Sequence, residues 1–227
     1  YIDYVKITPD LNGINIEVLN AEETVSTKVE SIDGAEKQVG KYKFTKTVEI
    51  SLSNGEVLKK ELTGLNDYID LSAHVCADGR KYTPRLWNCD EPYLYSMKIY
   101  SGEDVVETYF GLRTIKVKEI DGVKRVCLNE RPIFMHGVLD QGYYSDGIYL
   151  PAEPSEYERD ILRMRELGFN MLRKHIKVEP EVFYYYCDKH GMLVMQDMVN
   201  SGSYSFIRDT ALPTIGFKNR RDDRGKE

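Results

Sequence analysis

Three short clusters in the C-terminal half hold the residue types that could work on a polar ligand: Asp140 and Gln141, then Arg173, Lys174 and His175, then Gln196 and Asp197. An arginine can clamp a ligand through its planar fork, but at a strand end it serves equally well as a structural ion-pair partner. A histidine can act as a base or a ligand, yet a single one is more often hydrogen-bonded into the structure. Asp140 also suits the cap of a loop. The clusters gain weight together, because each follows a segment patterned as a strand.

The central segment, Gly168 to Pro180 (GFNMLRKHIKVEP), reads as a helix end, a short buried strand with Phe169, Met171 and Leu172, and a polar tip. Before it, Pro132 to Leu139 (PIFMHGVL) is a near-continuous apolar run, the pattern of a strand buried on both faces. Ser155 and Glu158 have capping-box spacing. The helix that follows carries Tyr157, Ile161 and Met164 on one stripe and stops at Gly168. A second helix begins near Pro180, buries Val182, Phe183, Tyr186 and Cys187, and stops at Gly191 before a third strand, Met192 to Met195. The order β-α-β-α-β predicts parallel strands with right-handed crossovers. Functional groups in such units lie just beyond the strand C-termini, which predicts one rim for all three clusters.

The first half has a different period. Ile14, Ile16 and Val18 alternate with polar residues after the turn-like Asp10-Leu11-Asn12-Gly13. Val25 to Val29 alternates weakly before a turn at Asp33-Gly34, and Tyr42, Phe44 and Val48 belong to another run closed by Ser53-Asn54-Gly55. Tyr93, Tyr95, Met97 and Ile99 share one strand face, and Val105 to Phe110 and Ile115 to Val117 complete the pattern. About seven short strands with turns every 8–12 residues predict an antiparallel sandwich of immunoglobulin type, without the cysteine pair of antibody domains.

Composition narrows the function classes. A length of 227 residues suits two domains, and 41% hydrophobic with 30% charged residues suits a folded core. The net charge of -6 argues against a nucleic-acid partner, and the mixed signs from Lys218 to Lys226 suit a solvated tail. No run approaches the roughly 18 apolar residues of a membrane span. Cys76, Cys89, Cys127 and Cys187 form no CxxC pair, which predicts free thiols in a reducing, cytoplasmic compartment. The cysteines show no metal-ligand spacing, and neither His136 nor His190 has it to another histidine, so neither a metal nor a cofactor is expected. Glycine-rich phosphate loops and GxSxG elbows are missing too.

Motifs in order then carry a resemblance. Leu86-Trp87, Pro92, Leu94-Tyr95 and Phe110-Gly111-Leu112-Arg113 resemble the end of the sandwich domain of glycoside hydrolase family 2. LNERPIFMHGV (Leu128 to Val138) resembles that family's approach to its catalytic barrel, ERDILRMRELGFNMLRKH its first barrel helix and second strand, and YCDKHGMLVMQDM its second helix and third strand.

The resemblance implies an immunoglobulin-like sandwich over residues 1–118, then the first three βα units of a (β/α)8 barrel over residues 119–227. A whole barrel needs about 250 residues, so the chain resembles an internal piece of a larger β-glycosidase. Family members are retaining enzymes with two glutamates roughly 5–5.5 Å apart, and the resemblance places both beyond Glu227, leaving no catalytic residue here and an inactive chain. It implies carbohydrate as substrate, Arg173 as the arginine that holds the nucleophile ionised, and His175, Asp140, Gln141 and Asp197 as sugar-contacting or supporting groups. The family motif R-x-S-H-Y-P sets its histidine three residues after the arginine, whereas His175 stands two after Arg173. An unpaired parallel edge strand predicts a homo-oligomer. A non-catalytic carbohydrate-binding or scaffold module, or an unrelated two-domain α/β interaction protein, would share much of this pattern.

Overall fold

The computed structural model describes residues 1–21, 45–199 and 206–216. The patterns at Val25–Val29, Asp33-Gly34, Tyr42, Phe44 and Lys218–Lys226 lie outside the described residues. Thirteen strands form four sheets among those described.

Seven strands build the sandwich: β1 (Ile2–Pro9), β2 (Gly13–Asn20), β3 (Lys46–Ser51), β4 (Val57–Leu62), β5 (Asn66–Asp70), β6 (Tyr95–Ser101) and β7 (Asp104–Phe110). One antiparallel sheet has the order β1-β2-β5 and the other β4-β3-β6-β7. The alternation dictates the packing. Ile14, Ile16 and Val18 of β2, Val48 and Ile50 of β3, and Tyr95, Met97 and Ile99 of β6 are buried in one core, while their sequence neighbours face outward. The β1–β2 turn is fixed by the Asp10 carboxylate, which accepts the Asn12 and Gly13 amides at 2.7 and 2.8 Å.

The strand expected at Ile115–Val117 does not join the sandwich. It is part of β8 (Ile115–Ile120), which pairs with β9 (Val123–Leu128) and, through β9, with the two-residue β10 (Arg131–Pro132) in a separate antiparallel sheet. Residue 118 therefore falls inside a strand.

The third unit is the parallel one. β11 (Gly137–Asp140), β12 (Met171–Lys174) and β13 (Leu193–Gln196) lie side by side in that order, with Val138, Leu172 and Val194 in register. Helices α1 (Ser155–Glu166) and α2 (Glu181–His190) make the crossovers and bury Tyr157, Ile161, Phe183 and Cys187 against Leu172 and Met192. A π-helical turn (Phe206–Ala211) and the short α3 (Leu212–Thr214) come last.

Two local expectations need correction. The apolar run at Pro132–Leu139 is not one buried strand: residues 133–136 leave the ladder and Phe134 is 82% exposed. The Asn170 side chain partners that stretch instead, donating to the Phe134 carbonyl and accepting the His136 amide, both at 2.9 Å. Nor does Ser155 form a capping box with Glu158. The cap position belongs to Pro154, and Glu158 turns to His190 and Lys189 at 2.7 and 2.8 Å.

Trp87 joins the sandwich to the parallel sheet. Its ring is buried with Cys89, Leu128 and Leu193, and its Nε1–H donates to the Asp188 carbonyl at the end of α2 at 2.6 Å. Arg113 stacks over the ring at 4.4 Å and pairs with the Asp188 carboxylate at 2.7 Å. Gly111 lies so close that an added Cβ would stand 3.1 Å from the Trp87 Cβ. Gly191 takes a left-handed φ of +72°, where a Cβ would meet the Cys89 carbonyl at 2.2 Å. Replacing Trp87 with Ala should cost about 3–5 kcal/mol through the cavity it leaves, read by circular dichroism during urea unfolding; a loss under 1 kcal/mol would mean that the two units do not depend on the ring.

Candidate functional site

The strand period of two decides where each candidate side chain goes. Along β11, β12 and β13, Asp140, Lys174 and Gln196 share the face that α1 and α2 cover, because they follow Val138, Leu172 and Val194 by two residues. Leu139, Arg173 and Met195 share the opposite, open face and are all exposed. The single rim expected from the sequence thus divides into a buried half and an open half.

The buried half is a charge network. Lys174 is 0% exposed, and its ammonium contacts Asp140 Oδ2 at 2.8 Å and Glu179 Oε1 at 2.5 Å. Lys177 Nζ meets the same Glu179 oxygen at 2.9 Å and donates to the carbonyls of Gly142 and Tyr149 at 2.6 and 2.5 Å. Tyr157 of α1 donates to Glu179 Oε2 at 3.0 Å, and burial, followed by that bond, pushes its phenol well above the ordinary tyrosine range. Tyr184 of α2 donates to Gln196 Oε1 at 2.7 Å, while Gln196 Nε2 donates to the Lys177 carbonyl at 2.8 Å. Buried charges persist only when paired in this way. Asp140 also caps its loop by accepting the Gly142 amide at 2.8 Å, so its carboxylate is turned into the structure rather than toward a ligand on the open face.

The open half centres on Arg173 and Asp197. The guanidinium donates from Nε and one Nη to the two carboxylate oxygens, each at 3.1 Å, a bidentate pair on the exposed face. That hydrogen bond comes first among the causes that hold the Asp197 carboxyl below its ordinary range, and the charge of His175 adds to it. The same bond raises the Arg173 guanidinium further. His175 is half-buried, and its amide donates to the Asp140 carbonyl at 3.0 Å, tying the two strand tips together. Gln141 is exposed beside them. Ile176 adopts a left-handed φ of +47°, a strained state for a β-branched residue that costs on the order of 1–3 kcal/mol.

Arg173, Asp197 and His175 are therefore brought together, and Gln141 follows Asp140, whose carbonyl holds the His175 amide; Asp140 belongs to the buried network, while the exposed Gln196 touches its edge by donating to the Lys177 carbonyl. Sequence reasoning missed Lys177, Glu179, Tyr157 and Tyr184 as its members. The alternation of Lys177, Val178 and Glu179 was the available signal, since a strand-like period puts both charges on one side.

With the site defined, similarity to known proteins becomes informative. The family profile described as glycosyl hydrolases family 2 matches residues 1–113. The chain belongs to glycosyl hydrolases family 2. Among its relatives, a beta-galactosidase of Thermoanaerobacter pseudethanolicus is 23% identical over 212 residues, which is 87% of this chain and 28% of the relative. A beta-glucuronidase of Bacteroides fragilis is 27% identical over 130 residues, 54% of this chain and 18% of that protein. The fold matches the solved beta-glucuronidase of Faecalibacterium prausnitzii with a TM-score of 0.63 and 22% identity, over 88% of this chain and 28% of that one. This family 2 chain spans less than a third of the length of these relatives. In its motif LW…FGLR, the tryptophan, glycine and arginine are the three residues that build the Trp87 junction.

Two outcomes test the site's electrostatics. Glu179→Gln leaves two buried ammonium groups short of a counter-charge and should cost about 3–5 kcal/mol, measured by chemical denaturation at neutral pH. Asp197 is easier to ionise in the folded chain than in the unfolded one, so its small contribution is present above the ordinary pKa and fades as pH falls through the lowered folded value. Arg173→Met should move the Asp197 carboxyl titration, followed by NMR, up toward the ordinary carboxylate range; an unmoved midpoint would contradict the pairing.

Proposed function

We propose that this chain is the sandwich-and-first-strands portion of a retaining β-glycosidase that hydrolyses terminal β-glycosidic bonds in carbohydrates. On this reading β11, β12 and β13 are the first three strands of a (β/α)8 barrel, with the sandwich and the β8–β9–β10 sheet before them. Three observations support it: the strands are parallel with helices on one face only, β11 and β13 have free edges among the described residues, and the open face carries exposed Leu139 and Met195. A barrel interior would cover that face. In isolation, the free edges favour pairing between copies, which sedimentation of the purified chain reads directly.

The Arg173–Asp197 pair carries the proposal. It stands at the carboxyl ends of two strands on the face that would line the barrel, where such enzymes hold their reacting groups. Arg173 would keep a nucleophilic glutamate, supplied from beyond this chain, in its ionised form. Asp197 positions the guanidinium, and His175 and Gln141 face sugar hydroxyls. Asp140 acts at one remove, by fixing Lys174 and the loop after β11. No residue of this chain is assigned as acid/base or nucleophile, and no cofactor is needed. The four free thiols suit a reducing compartment such as the cytoplasm, and no described helix is long and apolar enough to cross a membrane.

One observation favours a second reading, a non-catalytic carbohydrate-binding module. Tyr143 and Tyr149 are exposed after β11 with ring centroids 6.2 Å apart, the kind of aromatic surface on which sugars rest. A single comparison separates the two. The purified chain should not hydrolyse nitrophenyl β-glycosides, while a protein extended to complete the barrel should. Hydrolysis by the chain alone would overturn the assignment of its catalytic groups elsewhere; sugar binding by the chain with an inactive extended protein would favour the module.

A further inference from the structure

At one end of the sandwich, far in sequence from the parallel sheet, two loops bring together a nitrogen, a sulfur and an oxygen donor. The β3–β4 turn, closed by the Leu52 amide donating to the Glu56 carbonyl at 2.8 Å, presents Glu56. The segment after β5 folds back on itself through the Cys76 amide to Arg80 and the Tyr82 amide to His74, both at 2.8 Å, with a bridge between Val75 and Lys81. Val75 is 59% exposed, so the strand-like period turns His74 and Cys76 together to the other side, toward Glu56.

We propose that Glu56, His74 and Cys76 form a binding site for a zinc-class divalent metal ion, with water as the fourth ligand. His74 Nε2 and Glu56 Oε2 are 2.9 Å apart, and the donor atoms of all three residues lie within 4.8 Å of one another. Metal–ligand lengths of about 2.0–2.3 Å in a tetrahedron need donors roughly 3.3–3.7 Å apart. A small opening of the His–Glu contact and a small approach of the thiol therefore suffice.

The surroundings are those of a held ligand set. Glu56 Oε1 accepts the Ala77 backbone amide at 2.8 Å, which fixes the carboxylate, and the Asn54 side-chain Nδ2 donates to Cys76 Sγ at 3.4 Å. Such supporting bonds orient metal ligands. The His74 ring stands edge-on to Tyr82, 6.4 Å away. The His74 and Glu56 side chains remain 22% and 28% exposed, which leaves an approach for the ion and its water. On binding, Cys76 releases its proton to solvent, and thiolate plus carboxylate neutralise the metal's double charge. In the sequence no metal-ligand spacing is found among the cysteines or between histidines, and the mixed His74-x-Cys76 pair escaped both comparisons. Glu56 comes from a different loop and is joined to the pair only by the fold.

The expected effect is a metal clasp between the β3–β4 turn and the β5–β6 connection. Titrating metal-free protein with Co²⁺ should give a thiolate-to-cobalt charge-transfer band in the near ultraviolet, together with the intense visible bands of four-coordinate cobalt. One equivalent of Zn²⁺ should abolish both and shield Cys76 from a thiol reagent. Cys76→Ser should lose the charge-transfer band with its circular dichroism unchanged, and His74→Ala should weaken cobalt binding by well over 10-fold. The proposal is overturned by a wild-type protein that shows no band, by a band that survives Cys76→Ser, or by unchanged affinity in His74→Ala. None of these outcomes depends on glycosidase activity.

Discussion

The burial of one indole at the seam between two differently built sheets sets the geometry of the whole molecule. Trp87 is the only tryptophan in the chain. It has core on every side: Leu128 from the middle sheet, Leu193 from the parallel sheet and Cys89 from its own segment. An indole buries as much as 250 Å² but must satisfy its N–H, and the acceptor here is a carbonyl in the last turn of α2, Asp188 O. That one bond couples the hydrophobic contact to a fixed orientation. Because Asp188 also holds Arg113 and accepts from Tyr109 at 3.3 Å, the sandwich grips α2 by backbone and side chain together. Gly111 and Gly191 are then required by space, one against the ring and one against Cys89.

Fixing α2 has a consequence at the far ends of the strands. α2 supplies Phe183, whose ring lies 4.8 Å from the Lys174 ammonium, and Tyr184, which reaches Gln196. The buried network at Lys174, Lys177 and Glu179 therefore rests on a helix that the Trp87 junction has already positioned. In turn, the network determines where β12 ends and which way it points. Lys174 faces the helices, so the period of the strand sends Arg173 the other way, to Asp197. The buried charge network and the exposed Arg173–Asp197 pair are thus carried by adjacent residues on opposite faces of the same strand.

This division explains what could be read from the sequence. Strands with one wet face announced themselves: the alternation at Ile14–Val18 and Tyr95–Ile99 appears in the structure as buried and exposed faces. Helix ends at Gly168 and Gly191 were legible because both positions take positive φ, where an L side chain is strained. The run PIFMHGVL misled, since apolar content alone cannot show that a distant Asn170 side chain replaces a neighbouring strand. β9 went unseen because it does not alternate: Val123, Lys124 and Arg125 are all exposed while Cys127 and Leu128 are both buried, so no period of two shows. At the strand tips, the pattern of the sequence placed the three polar clusters side by side but did not show their sidedness. Asp140 and Arg173 look equally available in sequence, and only the register of β11 against β12 sends one inward and the other out.

Sidedness also bears on how such a site tolerates change. A cation on the open face can exchange its partner for a ligand group, because water and neighbouring charges compensate at little cost. A cation on the helix face has no such freedom, since losing a partner there leaves a charge without solvent. Substitutions at the exposed Gln141 and Tyr143 and at the half-buried His175 should therefore leave the charge network intact, whereas Tyr149 belongs to it through its ring, 4.4 Å from the Lys177 ammonium. The departure of His175 from the usual family spacing falls on that tolerant side. Lys174, by contrast, is confined by Asp140, Glu179 and Phe183 at once, and any residue replacing it must fill the same volume and answer the same two carboxylates. The strand tip thus combines one position bound by packing with a neighbour left open to solvent.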